Sequence, residues 1–104
     1  MASTISAGTT SGTALNVTAD TSGSLVLASN GNTTALTIDT SQNATFVGWV
    51  KMPIYTVATL PAAGTAGRRA FVNNALTPVA LSTVVGGGAL TVPVFDNGTT
   101  WIVG

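Results

Sequence analysis

The chain has 104 residues, zero net charge and only six charged side chains, Lys51, Arg68, Arg69, Asp20, Asp39 and Asp96, with no His, Glu or Cys. Three basic residues argue against a nucleic-acid or anionic-membrane partner, since both are bound through many Lys and Arg, and without Cys there is no disulfide framework. Charged residues are 6% of the chain, against about a quarter of a usual domain, so Thr, Ser, Asn and Gly cover the surface and part of that surface is expected to be buried in an assembly.

Residues 1–12, MASTISAGTTSG, are small and polar with no periodic apolar face. They are expected to be a flexible arm, ordered only by a partner. The first residues carry no basic or apolar run, so no signal peptide is expected. No stretch approaches the roughly 20 apolar residues of a membrane span. Asn-x-Thr triplets stand at Asn16, Asn32, Asn43 and Asn97. A chain this rich in Asn and Thr forms such triplets by chance, and glycosylation is not expected.

Residues 13–48 contain an internal echo. Thr13-Ala14-Leu15-Asn16-Val17 is matched by Thr34-Ala35-Leu36-Thr37-Ile38, and Asp20-Thr21-Ser22 by Asp39-Thr40-Ser41. Apolar and polar residues alternate in each copy, as in half-buried strands. Asn30-Gly31 lies between two such runs, 24–29 and 32–38, and predicts a two-residue type I′ hairpin. A repeat of about 20 residues suits stacked β units, but two copies cannot bury their own apolar faces. The missing neighbours are expected to come from other chains.

Residues 48–53, with Trp49, form the junction to a second module over 53–104. Residues 54–60 are strand-like between Pro53 and Pro61. Residues 61–67 make a loop of small residues, Arg68-Arg69 leads into Ala70-Phe71-Val72, and Asn73-Asn74 is expected to turn the chain. A β-branched run at 79–85 precedes Gly86-Gly87-Gly88, read as a hinge. The chain then closes with a hairpin, 90–95 and 99–103, around Asp96-Asn97-Gly98. Pro93 is expected on an edge strand, because it cannot donate to a ladder. Trp101 is expected to share an apolar face with Phe71, Val79 and Leu81. No window has a helical stripe of good helix formers.

The inventory for catalysis is nearly empty. A nucleophilic triad needs a base that is missing, and zinc lacks its thiolate and imidazole ligands. The three Asp residues each sit at an expected turn, where Asp is favoured for bonding nearby backbone N–H groups. The triple glycine lacks the Lys and Ser/Thr of a phosphate loop. No catalytic, cofactor-binding or metal-binding residue is assigned. Five residues remain as candidate interface anchors: Arg68, Arg69, Phe71, Trp49 and Trp101. The Arg pair either bridges to a carboxylate or carbonyl of an adjacent chain or forms a solvated corner. Trp49, Tyr55 and Trp101 either stack on sugar rings or fill a core or interface, the commoner role.

The opening MASTISAGTTSGTALNVTADTSGSLVLASNGNTTALTID resembles the N-terminal β-repeats of bacteriophage tail-fibre and fibre-like virion proteins, especially those of marine phages. Residues 60–104, with Leu60-Pro61, Arg69-Ala70-Phe71-Val72, Gly86-Gly87-Gly88, Val92-Pro93-Val94, Asp96-Asn97-Gly98 and Trp101, look like a small β module that often ends such proteins. The resemblance implies a non-enzymatic virion protein, a homotrimer, made in a bacterial host cytoplasm. The expected fold is all-β: an N-terminal arm and β-repeat region over 1–48 and a C-terminal β module over 53–104, intertwined as a homotrimer. Fibres of this kind carry a long shaft that a chain of this length lacks. That favours a capsid-decorating or cement protein bound to the major capsid protein. The alternative is a short tail fibre or tail tip, bound to tail proteins and to a host surface glycan.

Overall fold

The computed structural model describes residues 2–9 and 15–104, Asn16 by its backbone alone. The fold is all-β, with two mixed sheets and a single 3₁₀ turn at Val57–Thr59 among the described residues. The chain divides into two units, Met1–Val50 and Lys51–Gly104.

The first unit is a five-stranded sheet built from β1 (Ser3–Ala7), β2 (Leu15–Thr18), β3 (Leu25–Ser29), β4 (Thr33–Ile38) and β5 (Ala44–Phe46). Their order is β2-β1-β3-β4-β5, with β1 parallel to β3 and every other pair antiparallel. The place of β1 corrects the expectation of a free arm. Residues 3–7 lie inside the sheet, hydrogen-bonded on both sides by their own chain; Met1 and residues 10–12 of the expected arm, and Thr13-Ala14 of the repeat, lie outside the described residues. The return from β2 to β3 rounds the start of β1, where the Ser3 N–H donates to the Ser24 carbonyl at 3.0 Å and the Asp20 N–H donates to Ser3 Oγ at 3.2 Å.

Both Asp-Thr-Ser triplets are turns held by the carboxylate. Asp20 accepts the Ser22 N–H at 3.0 Å, and Asp39 accepts those of Ser41 at 2.8 Å and Asn43 at 2.9 Å. These bonds, from Ser22 on Asp20 and first from Asn43 on Asp39, keep both carboxyls below their ordinary value. Asn30 and Gly31 both have positive φ, 47° and 78°, as a left-handed turn requires. The loop is nevertheless three residues long, because Ser29 pairs with Thr33, and a bulge between Leu27 and Ala28 shifts the register.

The second unit contains β6 (Ile54–Tyr55), β7 (Arg69–Ala75), β8 (Leu90–Asp96) and β9 (Trp101–Val103), in that order across the sheet. Asn73-Asn74 does not turn the chain. Both residues stay within β7 at a register shift between Val72 and Ala75, and Asn74 Oδ1 accepts the Val57 N–H at 2.9 Å. Residues 81–88 form no regular strand, yet they extend the sheet. Leu81 N–H donates to Val103 O at 2.8 Å and Val84 N–H to Trp101 O at 3.0 Å. Further on, Leu76 N–H donates to Val85 O at 2.8 Å and Gly88 N–H to Asn74 O at 3.0 Å. The segment thus leaves the free edge of β9 and reaches the end of β7, curling the sheet around one core: Ala70, Val72, Ala75, Val84, Val94, Trp101 and Val103.

This closure removes the hinge expected at the triple glycine. A Cβ on Gly88 would collide with the Ala75 carbonyl, so glycine is needed there for close backbone approach. Pro93 is also not on an edge. It sits in β8 between β7 and β9, opposite Phe71. The Phe71 N–H is used by Pro53 O on the β6 side, so Pro93 owes no donor to β7. Towards β9 it contributes its carbonyl, which accepts the Gly104 N–H at 2.9 Å.

Candidate functional site

The densest polar constellation of the second unit gathers around Asp96, whose side chain is fully buried. The loop over residues 61–67 has small side chains, and Gly64 and Gly67 take φ of 142° and 96°, so its backbone can wrap a carboxylate. Asp96 Oδ2 accepts the N–H groups of Gly64 at 3.0 Å and Thr65 at 2.9 Å. Its Oδ1 accepts the Gly98 N–H at 2.8 Å. Arg68 Nη2 donates to Asp96 Oδ2 at 2.6 Å and to the Ala62 carbonyl at 2.7 Å. The guanidinium carbon lies 5.2 Å from the centre of the Trp101 ring, within cation–π range. Trp101 Nε1 donates to Pro61 O at 2.7 Å. Loop, strand end and closing hairpin are therefore pinned to one ion pair.

Burial alone would raise the Asp96 carboxyl. The Arg68 bond and the N–H groups of Thr65, Gly98 and Gly64 outweigh it and hold the group well below the usual carboxylate range. Such a carboxylate is committed as an acceptor, with neither a free lone pair nor a poised proton for general acid–base work. The hairpin bends around the same group. Asp96 pairs with Trp101 across a four-residue loop, residues 97–100, in which Asn97 Oδ1 accepts the Thr99 and Thr100 N–H groups, each at 2.9 Å. The expected hairpin is present, and its loop is shaped by Asp96 and Asn97, each of which bonds the backbone two residues on.

The hub unites two of the five sequence-selected residues, Arg68 and Trp101. Arg68 finds both its carboxylate and its carbonyl within its own chain. Arg69 and Phe71 lie on the outer side of β7, opposite the inward Ala70 and Val72, and Phe71 pairs with Pro93 and Ile54. Trp49 is fully exposed, within residues 41–50, all of them exposed. Asp96 is the residue that sequence reasoning undervalued; its arginine partner is remote in sequence and leaves no local signal.

The first unit offers a surface of another kind. In the ladder register Val17, Ile5, Leu27, Leu36 and Phe46 stand opposite one another across all five strands, on one face. Leu25 and Ile38 form a second apolar pair on that face. Among the described residues of the unit nothing covers it: Val17 is 73%, Phe46 51%, and Ile5 and Leu27 each 38% exposed. The other face carries the row Thr18, Thr4, Val26, Thr37 and Thr45. Of the described residues of this unit, only Val26 and Ser6 are buried, and both belong to the hydroxyl face. A recess of about 280 Å³ there is lined by Ala2, Thr4, Thr18, Val26, Asn32 and Thr34, all of them uncharged side chains.

Among the described residues no three His, Cys, Asp or Glu side chains come together to hold a metal ion, and no helix is long and apolar enough to cross a membrane. Comparison with models of known families, with curated proteins and with solved structures returns no match.

Proposed function

We propose that the chain is a non-enzymatic structural protein of a bacteriophage particle, a homotrimer that decorates and reinforces the capsid surface. The observation that carries this reading is the uncovered apolar face of the first unit. A single β layer does not make a stable domain, since a sheet must bury its apolar face against another layer. The described residues of the unit supply no such layer, and this ties its folded form to assembly. The second unit supports the same reading. Its one buried carboxylate is spent on holding loops, and its surface carries few charges with which to bind a charged substrate. The resemblance of the repeats to fibre-like virion proteins supports a phage capsid as that assembly, made in the bacterial cytoplasm.

The mechanism is mass action. A protein that binds only the assembled lattice stabilises it by about 2.7 kcal/mol per site at a hundredfold excess over its dissociation constant. Capsids stripped of this protein are expected to break at lower temperature or pressure, and adding the purified chain back restores their resistance. Equal resistance of stripped and intact capsids overturns the proposal. The second reading, a short tail fibre or tip that binds a host glycan, is favoured by the fully exposed Trp49 and the hydroxyl-lined recess.

A further inference from the structure

We propose that the first unit closes into a three-sided β prism, in which the apolar face of each chain turns inward and strand β2 of one copy pairs with strand β5 of the next. This deepens the homotrimer reading above and rests on it; what it adds is the surface, the strand edges and the reason for three copies.

The occupant of the face must itself be apolar and uncharged. The row Val17, Ile5, Leu27, Leu36 and Phe46 contains no polar side chain, so a charged or hydrogen-bonding partner would lose its water without compensation. The same face of another copy meets this condition.

Among the described residues the sheet ends in two unpaired edges, β2 and β5. Unpaired edges invite pairing with another chain. β2 runs opposite to β1, β1 and β3 run together, β4 runs opposite to β3, and β5 opposite to β4. β5 therefore runs opposite to β2. A rotation axis along the strands preserves strand direction, so β2 of one copy meets β5 of the next in antiparallel sense. Such a head-to-tail contact closes into a ring and leaves no edge free.

Width selects the number of copies. Strands lie about 4.8 Å apart, so five of them span roughly 24 Å. Three walls of that width stand about 7 Å from their common axis, and four stand about 12 Å from it, whereas facing sheets in proteins lie about 10 Å apart, or about 5 Å each from the midplane. Leu, Ile and Phe side chains fill the first distance and leave a void in the second. A two-copy sandwich would cover the faces but leave all four edges open.

The test uses the full chain with Trp49→Phe, so that Trp101 alone reports on the second unit by fluorescence. Native mass spectrometry gives the assembly state of this parent, of Leu27→Asp on the inward row and of Thr37→Asp on the opposite row. The expected parent is a trimer. Leu27→Asp lowers the trimer fraction at least tenfold while Trp101 emission stays native, and Thr37→Asp remains trimeric. A trimer that survives Leu27→Asp, or one lost equally in Thr37→Asp, overturns the prism and leaves the homotrimer standing. A dimer or tetramer overturns both the prism and the homotrimer, and so does a parent that stays monomeric. As a check on the edges, Thr18→Cys combined with Thr45→Cys is expected to give a covalent three-chain band after treatment with a short thiol crosslinker. Single variants give none, and a band no larger than two chains contradicts the β2–β5 ring.

Discussion

Asp96→Asn is expected to lower the melting temperature of the second unit by more than about 10 °C, because removing one partner of a buried ion pair leaves the rest uncompensated. The carboxylate accepts from Gly64, Thr65, Gly98 and Arg68 at once. A carboxamide has one acceptor atom, and its NH₂ would face either an N–H group or the guanidinium. The loop over 61–67, the hairpin tip and Arg68 all loosen together. The parent protein also has an acid limb that the variant lacks. Because the folded state holds this carboxyl below its unfolded value of 3.8, the unfolded state binds the proton more readily. The contribution is complete above that value and is lost as pH falls through it towards the folded value. Thermal melts of the second unit between pH 7 and pH 2 check both points. An Asn variant with an unchanged midpoint at pH 7, or with the same acid limb, contradicts the role given to Asp96.

Trp101→Ala is expected to unfold the second unit. The residue is 8% exposed and belongs to the core with Val72 and Val94. Truncating a buried Trp costs about 3–5 kcal/mol, and a unit of this size has only about 3–8 kcal/mol in all. The loss includes the bond to the Pro61 carbonyl and the ring under Arg68. Trp49→Ala, at a fully exposed position, is expected to shift stability by no more than about 0.5 kcal/mol. Amide NMR spectra of the two variants separate these outcomes. A dispersed, native-like second unit in Trp101→Ala would make that residue an interface group rather than a core one.

The contrast between the two tryptophans shows how far the sequence could be read. Alternation in Thr34-Ala35-Leu36-Thr37-Ile38 and the Asp-Thr-Ser turns is local, and the strands and turns it implies are present. Register is not local. The parallel pairing of β1 with β3 places Ile5 beside Leu27, and without it the apolar row across the five strands is invisible. The same holds for β1: Ser3–Ala7 is too short and polar to announce a strand, and it is ordered by partners on both sides. Pro93 followed a sound rule about donors, but the rule concerns one side of a strand, and β8 needs no donor from Pro93 towards β7. The triple glycine reads as a hinge by composition, whereas Gly88 is held against Ala75 by a contact that no neighbouring residue foretells. Asp96 carries a turn signal that is correct as far as it goes. Its partner Arg68 lies 28 residues away in sequence, and the pairing appears only when β7 and β8 lie side by side.

The central claim is that this chain coats a capsid, and its copy number per particle tests that most directly. Quantitative mass spectrometry of purified particles, calibrated on the major capsid protein, is expected to count hundreds of copies in multiples of three. A few to tens of copies would place the chain in the tail, and none would contradict the virion role altogether.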